Sequence, residues 1–347
     1  MRGGLFMSLK ESYQFCFKMG VAIPRQVLKD EPVLRHIAQE YDSITCENDM
    51  KPENLLDAEA NRKEPERYDR SPAVTFEKID PYMEYAKKNG IGMRGHTLVW
   101  HNQTPRWFFA KDYRNEEDAP LADRETMLAR MESYIRTVMT YVQQKWPGVI
   151  YAWDVVNEAV VEEGLRESFW IGTVGQDFVL QAFRFARKYS DGSAALFYND
   201  YDTFLPWKRE AIYDLILRPL LEEGLVDGMG MQTHLTMETD LDEYEKSLRY
   251  YGALPLQVQI TELDIHNTDL SEESMERLAQ RYESLFDRLV KARKDKAADL
   301  TGVTFWGLQD DMSWLTAFRK ERSYPLLFDG QLKPKKAYYA VLGAAEK

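Results

Sequence analysis

The chain has 347 residues, of which 44% are hydrophobic and 29% are charged, an ordinary composition for a globular protein with a large core. The formal net charge is −12, and no Lys/Arg cluster alternates with aromatic residues, which argues against a nucleic-acid-binding surface. The sequence also lacks a run of about 20 apolar residues, the length that a membrane-spanning helix needs.

The N-terminal stretch "MRGGLFMSLKESYQFCFKMG" (1–20) has one early arginine, no long apolar run and no small-residue cleavage site. It is interpreted as neither a signal peptide nor a membrane anchor, which predicts a cytoplasmic protein. Cys16 and Cys46 each lie in an apolar run and are too few for a disulfide framework. They are interpreted as buried, reduced thiols.

Short apolar or β-branched runs recur along the chain and are interpreted as strands. There are eight, at 17–23, 43–45, 91–100, 149–156, 195–200, 227–234, 256–261 and 302–308. Between most of them the apolar residues have helical spacing, at 76–90 (which Gly90 ends), 121–146, 208–224 and 272–294. Strands that alternate with helices of this length indicate parallel βαβ units.

Eight such units predict an α/β protein with a single (β/α)8 TIM barrel over residues 1–347, since no linker divides the chain. A doubly wound sheet is the alternative, but the Gly-rich phosphate turn that it would need is absent. In a barrel, the chemistry lies where the strands end. Polar residues collect at these predicted ends: Glu47, Asn48, His96, Asn157, Glu158, Asn199, Gln232, His234 and Glu262.

Two of the apolar strands deliver a glutamate, Glu158 in "YAWDVVNEAV" (151–160) and Glu262 in "VQITELDI" (258–265). Glu158 could be simply the first solvated residue after a strand. However, a barrel brings both strand ends to one rim, where one carboxyl group can donate a proton while the other stays ionised. Hydrolysis of a glycosidic bond needs this division of roles.

Tryptophans accompany the two glutamates, because Trp100, Trp306 and Trp314 lie at or just beyond predicted strand ends. Each of them alone could be a core residue, since aromatic side chains dominate protein cores. Together with Tyr201 and the amide side chains of the same rim, they favour a carbohydrate-binding cleft.

Motifs throughout the chain resemble glycoside hydrolase family 10, the retaining endo-β-1,4-xylanases, here of the intracellular type. These motifs are "TCENDMK" (45–51), "RGHTLVWHNQTP" (94–105), "WDVVNEAV" (153–160), "FYNDY" (197–201), "GMGMQTH" (228–234), "ITELDI" (260–265), "GVTFWGLQDDMSWL" (302–315) and "PLLFDGQLKPKKAYYAV" (325–341). The resemblance extends from about residue 16 to residue 341, and eight motifs in register make it specific.

The resemblance implies residue roles. Glu158 would be the general acid/base and Glu262 the nucleophile, with His234 hydrogen-bonded to Glu262 and Asp264 orienting His234. Asn157 would hold the 2-hydroxyl group of the sugar that is cleaved. The remaining substrate contacts would be Glu47, Asn48, Lys51, His96 and Trp100 on the glycon side, Gln232 between the carboxylates, Tyr201, and the cleft walls Trp306 and Trp314.

Structural alternatives stay open for some of these residues. Lys51 could be a solvated loop charge, and Glu47 could cap the following helix. For 199–201 ordinary turn chemistry is an alternative, while Asp154 is interpreted as a structural barrel residue. The charged stretch 55–76 is expected to border the glycon end of the cleft, and the loop 316–325 to cap a subsite.

The expected function is endo-β-1,4-xylanase activity with retention, without a metal or cofactor, on xylan and especially on short imported xylo-oligosaccharides. The expected partners are these oligosaccharides, and neither nucleic acid nor a membrane, whereas the oligomeric state is not predicted. Alternatives are another β-1,4-glycanase, a sugar-binding protein without activity and a metal-dependent barrel hydrolase. His96 and His101 lack the spacing of the usual zinc motifs, which disfavours the last one.

Overall fold

A computed structural model describes residues 7–346. Its centre is a barrel of eight parallel strands, in which each strand pairs with the next and β8 pairs with β1. The strands are β1 (Lys18–Ile23), β2 (Ser43–Cys46), β3 (Gly92–Trp100), β4 (Ile150–Asn157), β5 (Ala195–Asp200), β6 (Gly228–Met231), β7 (Gln257–His266) and β8 (Asp299–Phe305). The predicted (β/α)8 barrel is confirmed.

Helices surround the barrel and connect its strands. The α-helices are Leu9–Tyr13, Glu31–Glu40, Pro52–Leu55, Ala58–Lys63, Pro65–Tyr68, Asp80–Asn89, Arg106–Phe109, Arg124–Lys145, Phe169–Thr173, Phe178–Tyr189, Pro206–Ile212, Arg218–Glu222, Leu241–Gly252, Glu272–Lys294, Trp314–Arg319 and Lys336–Ala344. A π-helical turn, Tyr213–Leu217, joins two of them, and 3-10 turns lie at Arg25–Lys29, Lys111–Tyr113 and Asp310–Met312. Among the described residues, no helix has the length and apolar character to cross a membrane.

The barrel strands are buried on both faces, as expected for parallel strands between a packed interior and a helical layer. All four residues of β2 are buried, as are the eight central residues of β7. Gly95 in β3 allows a close approach, because a Cβ atom there would lie 2.2 Å from the indole of Trp153. The barrel interior therefore depends on matched side-chain sizes between neighbouring strands.

A buried ion pair crosses the barrel interior. The guanidinium group of Arg94 donates to Asp154 Oδ2 at 2.8 Å and to Oδ1 at 2.6 Å, and its Nε donates to Gln259 Oε1 at 2.7 Å. The side chains of Arg94 and Asp154 are 1% and 0% exposed. The structure thus places Asp154 in the barrel interior, as its interpretation as a structural barrel residue requires.

Some boundaries differ from the predicted ones. The helix predicted over 76–90 begins only at Asp80, since Pro81 is tolerated in the first turn of a helix and not further inside. It ends at Gly90, whose φ of 64° is left-handed. The strand predicted over 227–234 covers only Gly228–Met231. Thr233, with φ of 67°, is left-handed, and His234–Thr236 then pairs with the end of β7.

Candidate active site

A cleft of about 910 Å³ opens at the carboxyl ends of the barrel strands. Every predicted site residue except Asp264 lines it: Glu47, Asn48, Lys51, His96, Trp100, Asn157, Glu158, Tyr201, Gln232, His234, Glu262, Trp306 and Trp314. The strand register explains this convergence, because Trp100 in β3 pairs with Asn157 in β4, which in turn pairs with Asn199 in β5.

Glu158 follows the last residue of β4 in a left-handed conformation, with φ of 58°. Its Oε2 atom accepts a hydrogen bond from Trp100 Nε1 at 2.9 Å, and its Oε1 atom accepts one from Gln232 Nε2 at 2.9 Å. The carboxyl group is half-buried and is held by neutral donors.

Glu262 lies within β7 and is 5% exposed. Its Oε1 atom accepts from Asn199 Nδ2 at 2.8 Å, and its Oε2 atom lies 3.2 Å from His234 Nε2. Burial opposes ionisation, but the hydrogen bond from His234, the nearby His96 and the bond from Asn199 outweigh it and lower the pKa of Glu262. Glu262 is therefore a carboxylate, the form that a nucleophile needs.

His234 is bonded at both ring nitrogens, since Nδ1 lies 3.0 Å from Asp264 Oδ1. Burial disfavours its cationic form, but the charges and hydrogen bonds of Asp264 and Glu262 prevail and raise the pKa of His234 to about 10. Trp314 Nε1 donates to the other oxygen of Asp264 at 2.9 Å. The contacts expected from His234 to Glu262 and to Asp264 are both present.

Three amide side chains connect the two glutamates. Asn157 Oδ1 accepts from Asn199 Nδ2 at 2.9 Å and from Gln232 Nε2 at 3.2 Å. Since Asn199 also donates to Glu262 and Gln232 to Glu158, a continuous hydrogen-bonded chain joins the carboxyl groups. Thr261 Oγ1 fixes the orientation of Asn199 by donating to its Oδ1 at 2.6 Å.

Turn chemistry is an alternative for Asn199 in the sequence, whereas in the structure its Nδ2 atom donates to Glu262. An Asn-Asp pair at a strand end is common in turns as well. The available signal was its position at the end of a strand beside the strand that carries Asn157. Gln103 was missed altogether, because it follows β3 in a loop without regular spacing.

Lys51, Asn48 and Gln103 form a second cluster of polar side chains in the cleft. The ammonium group donates to Asn48 Oδ1 at 2.9 Å and to Gln103 Oε1 at 2.8 Å, and it lies 4.9 Å from the ring centre of Trp100. Lys51 is only 6% exposed, so the alternative of a solvated loop charge is wrong. Burial lowers the pKa of Lys51.

Glu47 and His96 also face the cleft. Burial raises the pKa of Glu47, and the N-cap of the next helix, Pro52–Leu55, is Lys51, so Glu47 does not cap it. His96 is 2% exposed, its Nδ1 lies 2.9 Å from Asp154 Oδ2, and its ring lies 5.2 Å from that of Trp306. Asp154, which lies in the barrel interior, thus fixes the imidazole of His96 through its Nδ1 atom.

Tyr201 lines the cleft beside a buried charge pair. Its hydroxyl group accepts a hydrogen bond from Arg166 at 2.6 Å, and its ring lies 3.3 Å from the Nζ atom of Lys208. Lys208 forms an ion pair with Asp200 at 2.8 Å. Burial raises the pKa of Asp200 to about 6, although Lys208 and Tyr198 counteract it.

The stretches 55–76 and 316–325 differ in their position relative to the cleft. None of the described residues that line the cleft comes from 55–76, so the expectation that this stretch borders the cleft is not supported. It folds instead into the short helices Ala58–Lys63 and Pro65–Tyr68. The stretch 316–325 does reach the cleft, through Ala317, Phe318 and Arg319, which lie in the helix Trp314–Arg319.

A barrel that presents two glutamates in one sugar-sized cleft, one of them held as a carboxylate, has the arrangement of a glycoside hydrolase. Comparison with known proteins makes this assignment specific. The family model described as "Glycosyl hydrolase family 10" matches residues 8–344. The chain belongs to this family.

Relatives of the chain include endo-1,4-beta-xylanase B of Butyrivibrio fibrisolvens, 55% identical over 340 residues. The match covers 98% of this chain and 53% of that protein, so the chain spans about half the length of this relative. The fold is also similar to that of the CBM22-1 and GH10 modules of a Clostridium thermocellum endo-1,4-beta-D-xylanase complexed with xylohexaose. That structure has a TM-score of 0.88 and 32% identity, covering 97% of this chain and 67% of that one.

A third similar protein is the xylanase of Thermoanaerobacterium saccharolyticum, described as intracellular and solved as a mutant complexed with xylotetraose. Its TM-score is 0.84 at 34% identity, with 96% of this chain and 98% of that chain covered.

Proposed function

We propose that this chain is a retaining endo-β-1,4-xylanase, which hydrolyses internal β-1,4-xylosidic bonds in xylan and xylo-oligosaccharides. The observation that carries the proposal is the hydrogen-bonded chain of amides that joins Glu158 to Glu262 in the cleft. The xylanase relative and the two xylo-oligosaccharide complexes support the substrate class.

In the first step, a carboxylate oxygen of Glu262 attacks the anomeric carbon of a xylosyl unit. The bond from this carbon to the leaving oxygen breaks, and Glu158 transfers its proton to that oxygen. The lowered pKa of Glu262 supports its role as the nucleophile, because the group must be ionised before it attacks. The product of this step is a covalent glycosyl-enzyme.

In the second step, Glu158, now a carboxylate, removes a proton from a water molecule. The water oxygen bonds to the anomeric carbon, and the ester bond to Glu262 breaks and regenerates its carboxylate. Two inversions at the same carbon give net retention. The two glutamates and water account for every proton and electron pair in both steps.

The substrate contacts belong to the same proposal. Asn157 would hold the 2-hydroxyl group of the sugar that is cleaved, and Glu47, Asn48, Lys51, His96 and Trp100 would contact its glycon side. Gln232, Tyr201, Trp306 and Trp314 would complete the cleft, with His234 and Asp264 orienting the nucleophile. Support comes from the position of these residues, since all but Asp264 line the cleft.

We propose in addition that residues 1–347 form one catalytic domain. The pairing of β8 with β1 and the family match over 8–344 support this. The preference for short xylo-oligosaccharides and the cytoplasmic location stay predictions. Cell fractionation of the source organism, followed by rate measurements on oligosaccharides and on xylan, tests both.

Proton NMR of the protein mixed with xylohexaose tests the function directly. We expect new reducing ends to appear first as the β-anomer and to mutarotate afterwards. An initial α-anomer would contradict retention, and an unchanged spectrum would contradict the substrate class. A parallel reaction with cellohexaose tests the alternative of another β-1,4-glycanase, and a chelator control tests the metal-dependent alternative.

A further inference from the structure

Glu158 has a backbone conformation that L-residues rarely adopt, with φ of 58°. This conformation turns the chain sharply at the end of β4 and directs the carboxyl group toward Trp100 and Gln232. A left-handed non-glycine residue persists only where its surroundings hold it in place. The groups that hold Glu158 are therefore part of how the site is built.

Three hydrogen bonds fix the peptide groups around Glu158. Its N–H group donates to the carbonyl oxygen of Asn199 at 2.9 Å. Its own carbonyl oxygen accepts from Nε of Arg166 at 3.1 Å. The next N–H group, that of Ala159, donates to the hydroxyl oxygen of Tyr198 at 2.9 Å.

The Tyr198 hydroxyl group is itself anchored. It donates to Oδ2 of Asp200, whose other oxygen forms the ion pair with Lys208 at 2.8 Å. Tyr198, Asp200 and Lys208 are all 0% exposed. A hydroxyl group held on both sides in a dry environment has a fixed position, and so has the N–H group of Ala159 that it accepts.

We infer that Tyr198 and Arg166 are positioning residues for Glu158, because they hold the left-handed turn that aims the carboxyl group at the leaving oxygen. Neither residue needs to touch the reacting atoms. The inference rests on the proposed function, since it gives the general acid/base role to Glu158. It predicts that loss of either contact weakens proton transfer more than substrate binding or nucleophilic attack.

The variants Tyr198→Phe and Arg166→Gln test this inference, with Tyr13→Phe as the matched control. Tyr13 is also a buried tyrosine, but its hydroxyl group donates to the carbonyl oxygen of Val341, at 2.6 Å, away from the cleft. Substitution of tyrosine by phenylalanine removes a single oxygen atom, and Arg166 is half-buried, so we expect all three variants to fold.

The measurement compares two substrates that differ in their need for an acid. Xylotetraose has a sugar leaving group that requires a proton, whereas 2,4-dinitrophenyl β-xylobioside has a leaving group that departs without one. For each positioning variant we expect kcat/KM on xylotetraose to fall about 10- to 100-fold. On the dinitrophenyl glycoside, kcat/KM should stay within about threefold of the wild type, because kcat/KM covers binding and the formation of the glycosyl-enzyme, and this leaving group departs without a proton.

Azide provides a second readout, because it attacks the glycosyl-enzyme without the help of a base. In both positioning variants kcat on the dinitrophenyl glycoside should be lowered, because water needs Glu158 as a base, and azide should restore it. In Tyr13→Phe azide should leave kcat unchanged. Equal losses on the two substrates, or the same pattern in Tyr13→Phe, would overturn the inference.

A crystal structure of Tyr198→Phe keeps the inference testable even if the wild type cleaves neither substrate, a result that would refute the proposed function alone. The inference requires Glu158 to leave the left-handed region or to lose its contacts with Trp100 and Gln232. An unchanged Glu158 would refute the positioning role.

Discussion

The Nε2 atom of His234 lies 3.2 Å from the Oε2 atom of Glu262. Since Asp264 binds the opposite ring nitrogen, the imidazole is held between two carboxyl groups and carries a positive charge. That charge stabilises the ionised form of Glu262, the form that its proposed role as nucleophile requires. The pH dependence of the reaction should therefore depend on His234.

Replacement of His234 by Asn should shift the acid limb of the kcat/KM profile to higher pH. The bond and charge of His234 lower the pKa of Glu262, so their loss raises it, and a smaller fraction of Glu262 is ionised at any acidic pH. Rates on xylotetraose between pH 4 and pH 8 measure the shift. An acid limb at the wild-type position would show that His234 does not control Glu262.

At pH 7 the imidazole of His234 should be positively charged and that of His101 should be neutral. With a pKa of about 10, His234 carries both ring protons, whereas burial and the charge of Arg166 lower the pKa of His101 to about 4. Nitrogen-15 NMR of the histidine rings, assigned with single His→Asn variants, measures both. A His234 that titrates near 6.5, its value in unfolded chains, would contradict the charged interpretation.

The same shift affects the stability of the fold. Because the pKa of His234 is higher in the folded than in the unfolded chain, its contribution is fully present below pH 6.5 or so and is lost as the pH rises through about 10. The difference in unfolding free energy between the wild type and His234→Asn, measured in urea at pH 6 and pH 10, should therefore shrink at the higher pH.

Arg94→Met should destabilise the barrel strongly, because it leaves the buried carboxylate of Asp154 without its guanidinium partner, while His96 stays in contact with one of its oxygens. Both side chains are at most 1% exposed, and breaking such a pair costs about 3 to 5 kcal/mol. The control is Arg124→Met, which breaks a half-exposed pair with Asp177 and should cost about 1 kcal/mol at most. Urea unfolding measures both, and equal losses would contradict the importance of burial.

Phe318→Ala should weaken the binding of long oligosaccharides and leave kcat unchanged. Phe318 lines the cleft with 67% of its surface exposed, and its ring packs on Trp314 with centroids 4.7 Å apart. An exposed ring there offers a flat apolar face to a sugar, and its loss should raise KM about 2- to 10-fold. Phe15→Ala is the control, because Phe15 is 91% exposed and does not line the cleft. An unchanged KM for xylohexaose would refute a substrate contact.

Much of the fold followed from the sequence, since strands buried on both faces leave continuous apolar runs and surface helices leave a regular spacing. The helix at 272–294 has the predicted bounds. Predictions were wrong where backbone conformation decides. The strand predicted over 227–234 ends at Met231, and Thr233 beyond it has a left-handed φ although threonine favours strands.

The candidate site was predicted less evenly. Glu158 and Glu262 stand out because each is a charged residue that follows an apolar run, but their roles came from the family resemblance and stay predictions. The sequence does not separate a site role of Asn199 from turn chemistry, because its contact with Glu262 depends on the pairing of β4 with β5, and register is not visible in one sequence. Gln103 binds Lys51 from a loop, so no pattern singled it out.

The closure of the barrel between β8 and β1 means that the site is completed late in synthesis. A ribosome-bound chain that has already released Glu158 and Glu262 still lacks β8, the strand that pairs with both β7 and β1. It also lacks Trp314, which fixes Asp264 and through it His234. Hydrolytic activity during translation should therefore appear only when the last barrel strand and its following loop have left the exit tunnel.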